Sequence, residues 1–124
     1  MKFDAKKDKE GNLTFEFKKE HGALVITMTG SMDSLSASEF AKVIDEKLNS
    51  GENIFIVNLN SLDHLSSAGL RNIVIILKKL DTIGKKICFV SSNDDVNRIF
   101  KMAGLYNSLI KIFDSEEAAF DACK

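Results

Sequence analysis

Ser66 and Ser67 are adjacent in the segment HLSSAGLRN. This segment joins an apolar strand-like run, IFIVNLNSLD, to the apolar helix-like run that follows it. His64 lies just before the pair. Hydroxyls at such a junction allow three kinds of chemistry. A serine beside a histidine can act as a nucleophile, a serine at a helix start can cap the helix, and an exposed serine there can accept a phosphate.

The catalytic interpretation has the weakest support in the sequence. A serine nucleophile needs a base within hydrogen-bond reach and a group that orients the base. The nucleophile-elbow pattern G-x-S-x-G does not occur here, although His64 is near both hydroxyls along the chain. A small hydrolase that uses Ser66 or Ser67 with His64 therefore remains only an alternative, and we expect no enzyme activity.

The capping and phosphate interpretations both follow from helix physics. A serine N-cap accepts a hydrogen bond from an amide of the first turn that has no partner within the helix. The same amides and the helix dipole favour negative charge, so a phosphate in the first turn need not disturb the fold. Ser66 is the expected N-cap of this helix. Ile75 and Ile76 widen its apolar face, so the helix is either central or offers apolar surface to a partner.

The elements around the serines alternate between strand and helix patterns. NLTFEF and ALVITMTG predict two strands that form a hairpin. Helix and strand patterns then alternate along the chain as far as DSEEAAFDACK, which predicts a final helix. This order predicts an α/β fold, with a small mixed, mostly parallel sheet of four to five strands and about four helices. We expect residues 1–12 to be a polar lead-in and residues 13–124 to form a single domain.

Composition excludes several classes of function. The formal net charge is −1 and no basic patch interleaves with aromatic residues, so we expect no nucleic-acid partner. The chain has no apolar run of about 20 residues and no leader, so we expect a cytoplasmic protein without a membrane partner. Cys88 reads as a buried thiol and Cys123 as an exposed one, without a disulfide framework. The histidines and cysteines lack metal-ligand spacing, so no metal or cofactor is expected.

The segment IFIVNLNSLDHLSSAGLRNIVIILKKL resembles the central segment of the STAS-domain family of anti-sigma factor antagonists. In that family an apolar strand leads into a helix start of the type Asp-Ser-Ser-Gly-Leu or Ser-Ser-Ala-Gly-Leu. The phosphorylated serine stands two positions before the glycine, which corresponds here to Ser67, because Gly69 is the glycine. Ser66 stands where the family often has aspartate, which leaves Ser66 as an alternative acceptor.

Two further segments carry the same resemblance. VITMTGSMDSLSASEF is similar to the family's strand, glycine, loop and aspartate, with Gly30 and Asp33 at the matching positions. IFKMAGLYNSLIKIFDSEEAA is similar to the closing helix, Gly-Leu, strand and helix. The likeness spans residues 13–122, which is consistent with one domain.

The resemblance implies a bacterial partner-switching protein that controls transcription. The unphosphorylated form would bind an anti-sigma factor that is also a serine kinase. Phosphorylation of Ser67 with ATP would release it, and a PP2C-type phosphatase would reverse the change. Arg71, one turn after Ser67, could pair with the phosphate or be a solvated charge. The expected contact residues are Gly30, Ser31, Met32, Asp33, His64, Leu65, Ser66, Ala68, Gly69 and Arg71. A STAS-like subunit of a larger assembly, such as a stressosome-like or lipid-transport complex, without phosphorylation, is the alternative.

Overall fold

The computed structural model describes residues 3–7, 13–102 and 111–123. The elements follow the chain in the order β1 (Phe3–Lys7), β2 (Leu13–Glu20), β3 (Ala23–Met32), α1 (Ser34–Asn49), β4 (Ile54–Leu65), α2 (Ser67–Thr82), β5 (Lys86–Val90), α3 (Asp94–Met102), β6 (Ile112–Phe113) and α4 (Glu116–Cys123). The predicted end of α3 near Gly104 and the Gly-Leu pair after it lie outside the described residues.

The strands form one six-stranded sheet whose spatial order matches their order in the chain. β2 and β3 form the predicted antiparallel hairpin, closed by His21 and Gly22, whose φ angles of 51° and 81° suit a tight two-residue turn. β3, β4, β5 and β6 pair in parallel. The predicted α/β class, the mixed sheet and the four helices are confirmed.

The sheet has one strand more than the predicted upper number, because part of the predicted lead-in pairs with it. β1 lies antiparallel to β2, with Phe3 opposite Lys18 and Lys7 opposite Thr14. The free edge of β2 offers unpaired amide and carbonyl groups, and an added strand satisfies them. The lysine-rich composition of this segment concealed the strand. Residues 1–2 and 8–12 of the predicted lead-in lie outside the described residues.

The sheet divides the core into two unequal parts. Alternate residues of β3 face opposite ways, so Leu24 and Ile26 join the larger core while Val25 joins the smaller one. Buried residues of α1, α2 and α3 fill the larger core. On the other face, α4 contributes Ala119 and Cys123 to the smaller core. Three helices therefore cover one face of the sheet, and the shorter α4 packs on the other.

The prediction of two separate cysteines was wrong. Cys123 is buried, with 3% of its surface exposed, and its sulfur is bonded to that of Cys88. α4 packs against β5 and brings Cys123 to Cys88. The position of Cys123 in the sequence does not indicate this packing. In the part of the chain that the structure describes, no helix is long and apolar enough to cross a membrane.

Truncation of Phe40 should test how much α1 contributes to the larger core. The ring is fully buried and stacks on Phe15 with centroids 6.2 Å apart. Because Phe40→Ala removes this contact and leaves a cavity, we expect the free energy of unfolding to fall by about 3–5 kcal/mol in urea titrations. The control Leu35→Ala, at a position of α1 that is 44% exposed, should change it by about 0.5 kcal/mol. Equal losses for both variants would contradict the assignment of the α1 core face.

Candidate functional site

The candidate site lies where β3 and β4 end side by side. Ser31 pairs with His64 and Met32 pairs with Leu65 at the end of the parallel ladder. The backbone amide of Ser66 then donates a hydrogen bond to the Met32 carbonyl over 2.9 Å. The first turns of α1 and α2 therefore start from neighbouring positions at one edge of the sheet.

The sequence predicts a loop after Gly30 and a turn at His64 and Leu65 before the second helix, and the structure corrects both. Gly30, Ser31 and Met32 continue β3, while His64 and Leu65 continue β4. The register of the pairing shifts between Thr27 and Thr29 and between Gly30 and Ser31, and the pairing continues to Met32 and Leu65. The polar residues in these ends concealed the pairing, because backbone hydrogen bonds to a neighbouring strand leave little trace in the sequence.

Ser66 and Ser67 have different roles in the structure. Ser66 is the N-cap of α2, and its Oγ accepts a hydrogen bond from the Gly69 amide over 3.0 Å. Its side chain is partly buried, whereas Ser67, the first residue of the helix, is exposed. The capping prediction for Ser66 is confirmed, and the Ser67 side chain lies on the surface of the first turn.

Asp33 caps the neighbouring helix in the same way. Its carboxylate accepts hydrogen bonds from the amides of Leu35 and Ser36 over 3.1 and 3.0 Å. The bond from Ser36 is the main cause that lowers the pKa of the Asp33 carboxyl below its ordinary value, and the Leu35 amide adds to it. Asp33 therefore carries a negative charge at neutral pH at the same sheet edge as Ser67.

Gly69 sets how closely α2 approaches β3. A Cβ atom at this position would lie 2.9 Å from Met32 Cγ, 3.0 Å from Leu65 Cδ1 and 3.1 Å from the Met32 carbonyl oxygen. Those separations are shorter than van der Waals contact, so a larger residue would push the helix start away from the strand ends. The glycine permits the packing that places Ser66 and Ser67 at the edge.

The structure separates the predicted contact residues into two groups. Met32, Leu65 and Gly69 are buried, and they pack beneath the surface and position it. The apolar side chains of Met32 and Leu65 gain more from the core than from solvent. The remaining predicted contacts are exposed or partly exposed: Gly30, Ser31, Asp33, His64, Ser66, Ala68 and Arg71.

One exposed stripe of α2 continues the site along the helix. Ser67, Arg71 and Ile75 follow one another at intervals of four residues and are all exposed, Ile75 to 56%. The sequence left open whether the wide apolar face of α2 was central or exposed. The structure buries Ile76 and exposes Ile75, so the partner-facing alternative fits this single residue. The sequence signal for this stripe is that Ile75 follows Ser67 by eight residues, which places both on the same face of α2.

The geometry does not assemble a serine hydrolase. His64 is exposed in β4, and among the described residues no hydrogen bond joins it to either hydroxyl; the oxygen of Ser66 is engaged with the Gly69 amide. Within the same part of the chain, no three histidine, cysteine, aspartate or glutamate residues gather to hold a metal ion. The arrangement instead presents a hydroxyl, a carboxylate and a guanidinium on one surface.

Residues 14–119 match the family model described as the STAS domain, which covers most of the chain. The chain belongs to the STAS-domain family. A Bordetella bronchiseptica relative named as an anti-sigma factor antagonist is 27% identical over 103 residues, which is 83% of this chain and 88% of the relative.

Solved structures show the same fold. An anti-sigma factor antagonist from Mycobacterium paratuberculosis superposes with a TM-score of 0.79 at 18% identity, covering 90% of this chain and 93% of the other. The Bacillus cell fate determinant SpoIIAA in its phosphorylated form gives a TM-score of 0.66 at 18% identity, covering 89% of this chain and 99% of the other. At these identities the likeness establishes the fold.

Gly69→Ala should test the close approach of α2 to β3. Because the added methyl group meets Met32 and Leu65, we expect the free energy of unfolding in urea to fall by about 1–3 kcal/mol. Ser67→Ala, two positions earlier on the exposed surface, is the matched control and should change stability by about 0.5 kcal/mol. An unchanged stability for Gly69→Ala would mean that the helix start is not confined as described.

Asp33→Asn should change how stability depends on pH. The amide oxygen can still accept both hydrogen bonds, but the charge is lost. A carboxyl whose pKa is lower in the folded protein stabilises it above the pKa of the unfolded chain, and this contribution disappears as pH falls through the folded value. In urea titrations from pH 7 down to about pH 3, the midpoint of the wild type should therefore approach that of Asp33→Asn.

The exposed Asp63, on β4, provides the matched control Asp63→Asn. A constant difference between the wild-type and Asp33→Asn midpoints across this pH range would contradict the capping role of the charge.

Proposed function

We propose that this protein is an anti-sigma factor antagonist of a bacterial partner-switching pathway, with Ser67 as its phosphorylation site. Unphosphorylated, it binds an anti-sigma factor that is also a serine kinase, in the cytoplasm. Phosphorylation of Ser67 releases that partner, and a PP2C-type phosphatase restores binding. The observation that carries the proposal is the exposure of Ser67 in the first turn of α2, beside a serine that already caps the helix.

The helix start can receive a phosphate without unfolding. A phosphoserine carries a charge of about −1.5 to −2 at neutral pH, and the free amides and dipole of a helix N-terminus favour negative charge. The switch would therefore act on the surface and leave the core unchanged. The phosphorylated structural relative keeps the same fold, which agrees with this expectation.

The same phosphate would oppose a partner seated on this edge. The exposed surface already has the Asp33 carboxylate, and a second, larger negative charge would have to lose water in the complex. Arg71 follows Ser67 by one helical turn and is exposed, so it is placed to contact either the partner or the phosphate. We propose a contact surface made of Gly30, Ser31, Asp33, His64, Ser66, Ser67, Ala68 and Arg71.

Ser67 is a better acceptor than Ser66 on geometric grounds. The Ser66 oxygen accepts the Gly69 amide, and its side chain is partly buried against the strand ends. A kinase would have to break this cap to reach it, whereas Ser67 is available without rearrangement. Ser66 remains the alternative acceptor, since it stands next to the same helix start.

The proposal predicts a single acceptor that a kinase assay can identify. With the cognate kinase and ATP, intact mass should rise by one phosphate for the wild type and for Ser66→Ala, but not for Ser67→Ala. Ser66→Ala removes the cap and should lower the free energy of unfolding by about 1 kcal/mol, so folding is checked first. Phosphate on Ser67→Ala would contradict Ser67 as the single acceptor and indicate Ser66 instead. No phosphate on any variant would favour the alternative of a non-phosphorylated subunit.

The switch itself is tested by affinity. Binding of the kinase to Ser67→Asp should be weaker than to Ser67→Ala by about 30- to 150-fold if the negative charge removes two or three kcal/mol. A calorimetric titration with purified kinase measures this difference. Ser38→Glu introduces the same charge at an exposed position of α1. This control variant should bind like the wild type. Equal affinity of Ser67→Asp and Ser67→Ala would contradict the switch.

A further inference from the structure

The two cysteines of the chain meet far from the proposed phosphorylation site. Cys88 is in the middle of β5 and Cys123 is the last residue of α4, and a disulfide joins them across 35 residues of sequence. Both belong to the smaller core, where they are 4% and 3% exposed. The bond ties the end of α4 to the sheet.

The other end of α4 is held by polar contacts. Glu116, its first residue, accepts a hydrogen bond from Asn58 Nδ2 over 2.8 Å and pairs with Lys18 Nζ over 3.4 Å. Between the two ends, Ala119 is buried in the smaller core. Breaking the disulfide would therefore loosen the end of the helix at Cys123 while Glu116 keeps its beginning in place.

Both Cys88 and Cys123 line a partly open cavity of about 380 Å³. This volume lies within the usual range for small-molecule sites, about 300–1,000 Å³. The charged residues of its wall are three lysines and one aspartate: Lys85, Lys86, Lys111 and Asp81. A second cavity, of about 250 Å³, reaches Cys123 past the acidic residues Glu117 and Asp121. The larger cavity thus offers the cationic approach to the disulfide.

We propose that Cys88 and Cys123 form a redox-active disulfide, which exchanges with an anionic low-molecular-weight thiol of the glutathione class that enters through the lysine-lined cavity. The excess of positive charge in the cavity wall attracts the carboxylates of such a thiol and raises its local concentration. The same charge favours the thiolate that attacks and the thiolate that leaves.

The exchange proceeds in two balanced steps. The thiolate of the small thiol attacks Cys123 Sγ, the bond to Cys88 breaks, and the Cys88 thiolate takes up a proton. A second small thiolate then attacks the mixed disulfide, which releases the oxidised small disulfide and leaves the Cys123 thiolate to be protonated. Two small thiols are oxidised to one disulfide, and the protein disulfide is reduced to two thiols.

Alkylation and intact mass measure the state of the two sulfurs in the full chain. Protein purified under air and equilibrated with oxidised glutathione should take up no maleimide even after denaturation. After incubation with reduced glutathione in native buffer, it should take up two. The Cys88→Ser/Cys123→Ser variant is the blank for the alkylation. Two reactive thiols after equilibration with oxidised glutathione, or a bond that glutathione reduces only in denaturant, would overturn the proposal.

The role of the lysines is tested by the charge of the thiol. Per thiolate, glutathione should reduce the native protein about tenfold faster than the cationic thiol cysteamine, and high salt should shrink the ratio. In Lys86→Gln/Lys111→Gln the ratio should fall toward the value of the denatured chain. The control Lys42→Gln/Arg98→Gln removes the same net charge at exposed positions outside the cavity and should keep the ratio.

Equal rates with the two thiols, or an equal loss of preference in both double variants, would overturn the cavity route. This test uses no kinase and does not involve Ser67. Its failure is therefore distinguishable from a failure of the proposed phosphorylation switch.

Discussion

The close packing of α2 against the end of β3 is the constraint on which the proposed site depends. Gly69 lies so near Met32 that a methyl group does not fit between them, and the Ser66 amide bonds the Met32 carbonyl. These contacts fix the position of the helix start relative to two neighbouring strands. The exposed hydroxyl of Ser67 and the carboxylate of Asp33 consequently lie at the same end of the parallel strands. The buried side chains below them position this surface without being part of it.

The helix start is suited to a reversible charge because it satisfies two requirements at once. In the proposed switch, the amides of the helix start would favour a phosphate and leave the fold intact, while the surface around it would lose affinity for a partner. Ser66 caps the helix through the Gly69 amide. The hydroxyl of Ser67 is therefore not needed as a cap. The family model establishes a STAS domain, and the proposed switch confines the change to one exposed side chain of that domain.

The two proposed sites lie at opposite ends of the parallel strands. β4 begins beside Lys86, at the lysine-lined cavity, and ends at Leu65, beside the phosphorylation site. β4 has twelve residues, so eleven steps of about 3.3 Å place its two ends roughly 36 Å apart. The disulfide acts on α4 and on the smaller core, whereas the contact surface rests on the larger core. A change at the cysteines therefore need not alter the surface that carries Ser67.

Local patterns in the sequence were sufficient for the order of the main elements, the Ser66 cap, the hairpin and the helix start that resembles the family. These features depend on residues close to one another in the chain, such as a serine three residues before a free amide. Tertiary structure alone decided that β1 joins the sheet, that β3 and β4 extend to Met32 and Leu65, and that Cys123 reaches Cys88. The pairing of β3 with β4 and the bond between Cys123 and Cys88 join residues distant in sequence, whereas β1 pairs with the neighbouring β2 through a lysine-rich segment. In each case backbone pairing or packing decides the outcome and leaves no periodic signal in the residues that take part.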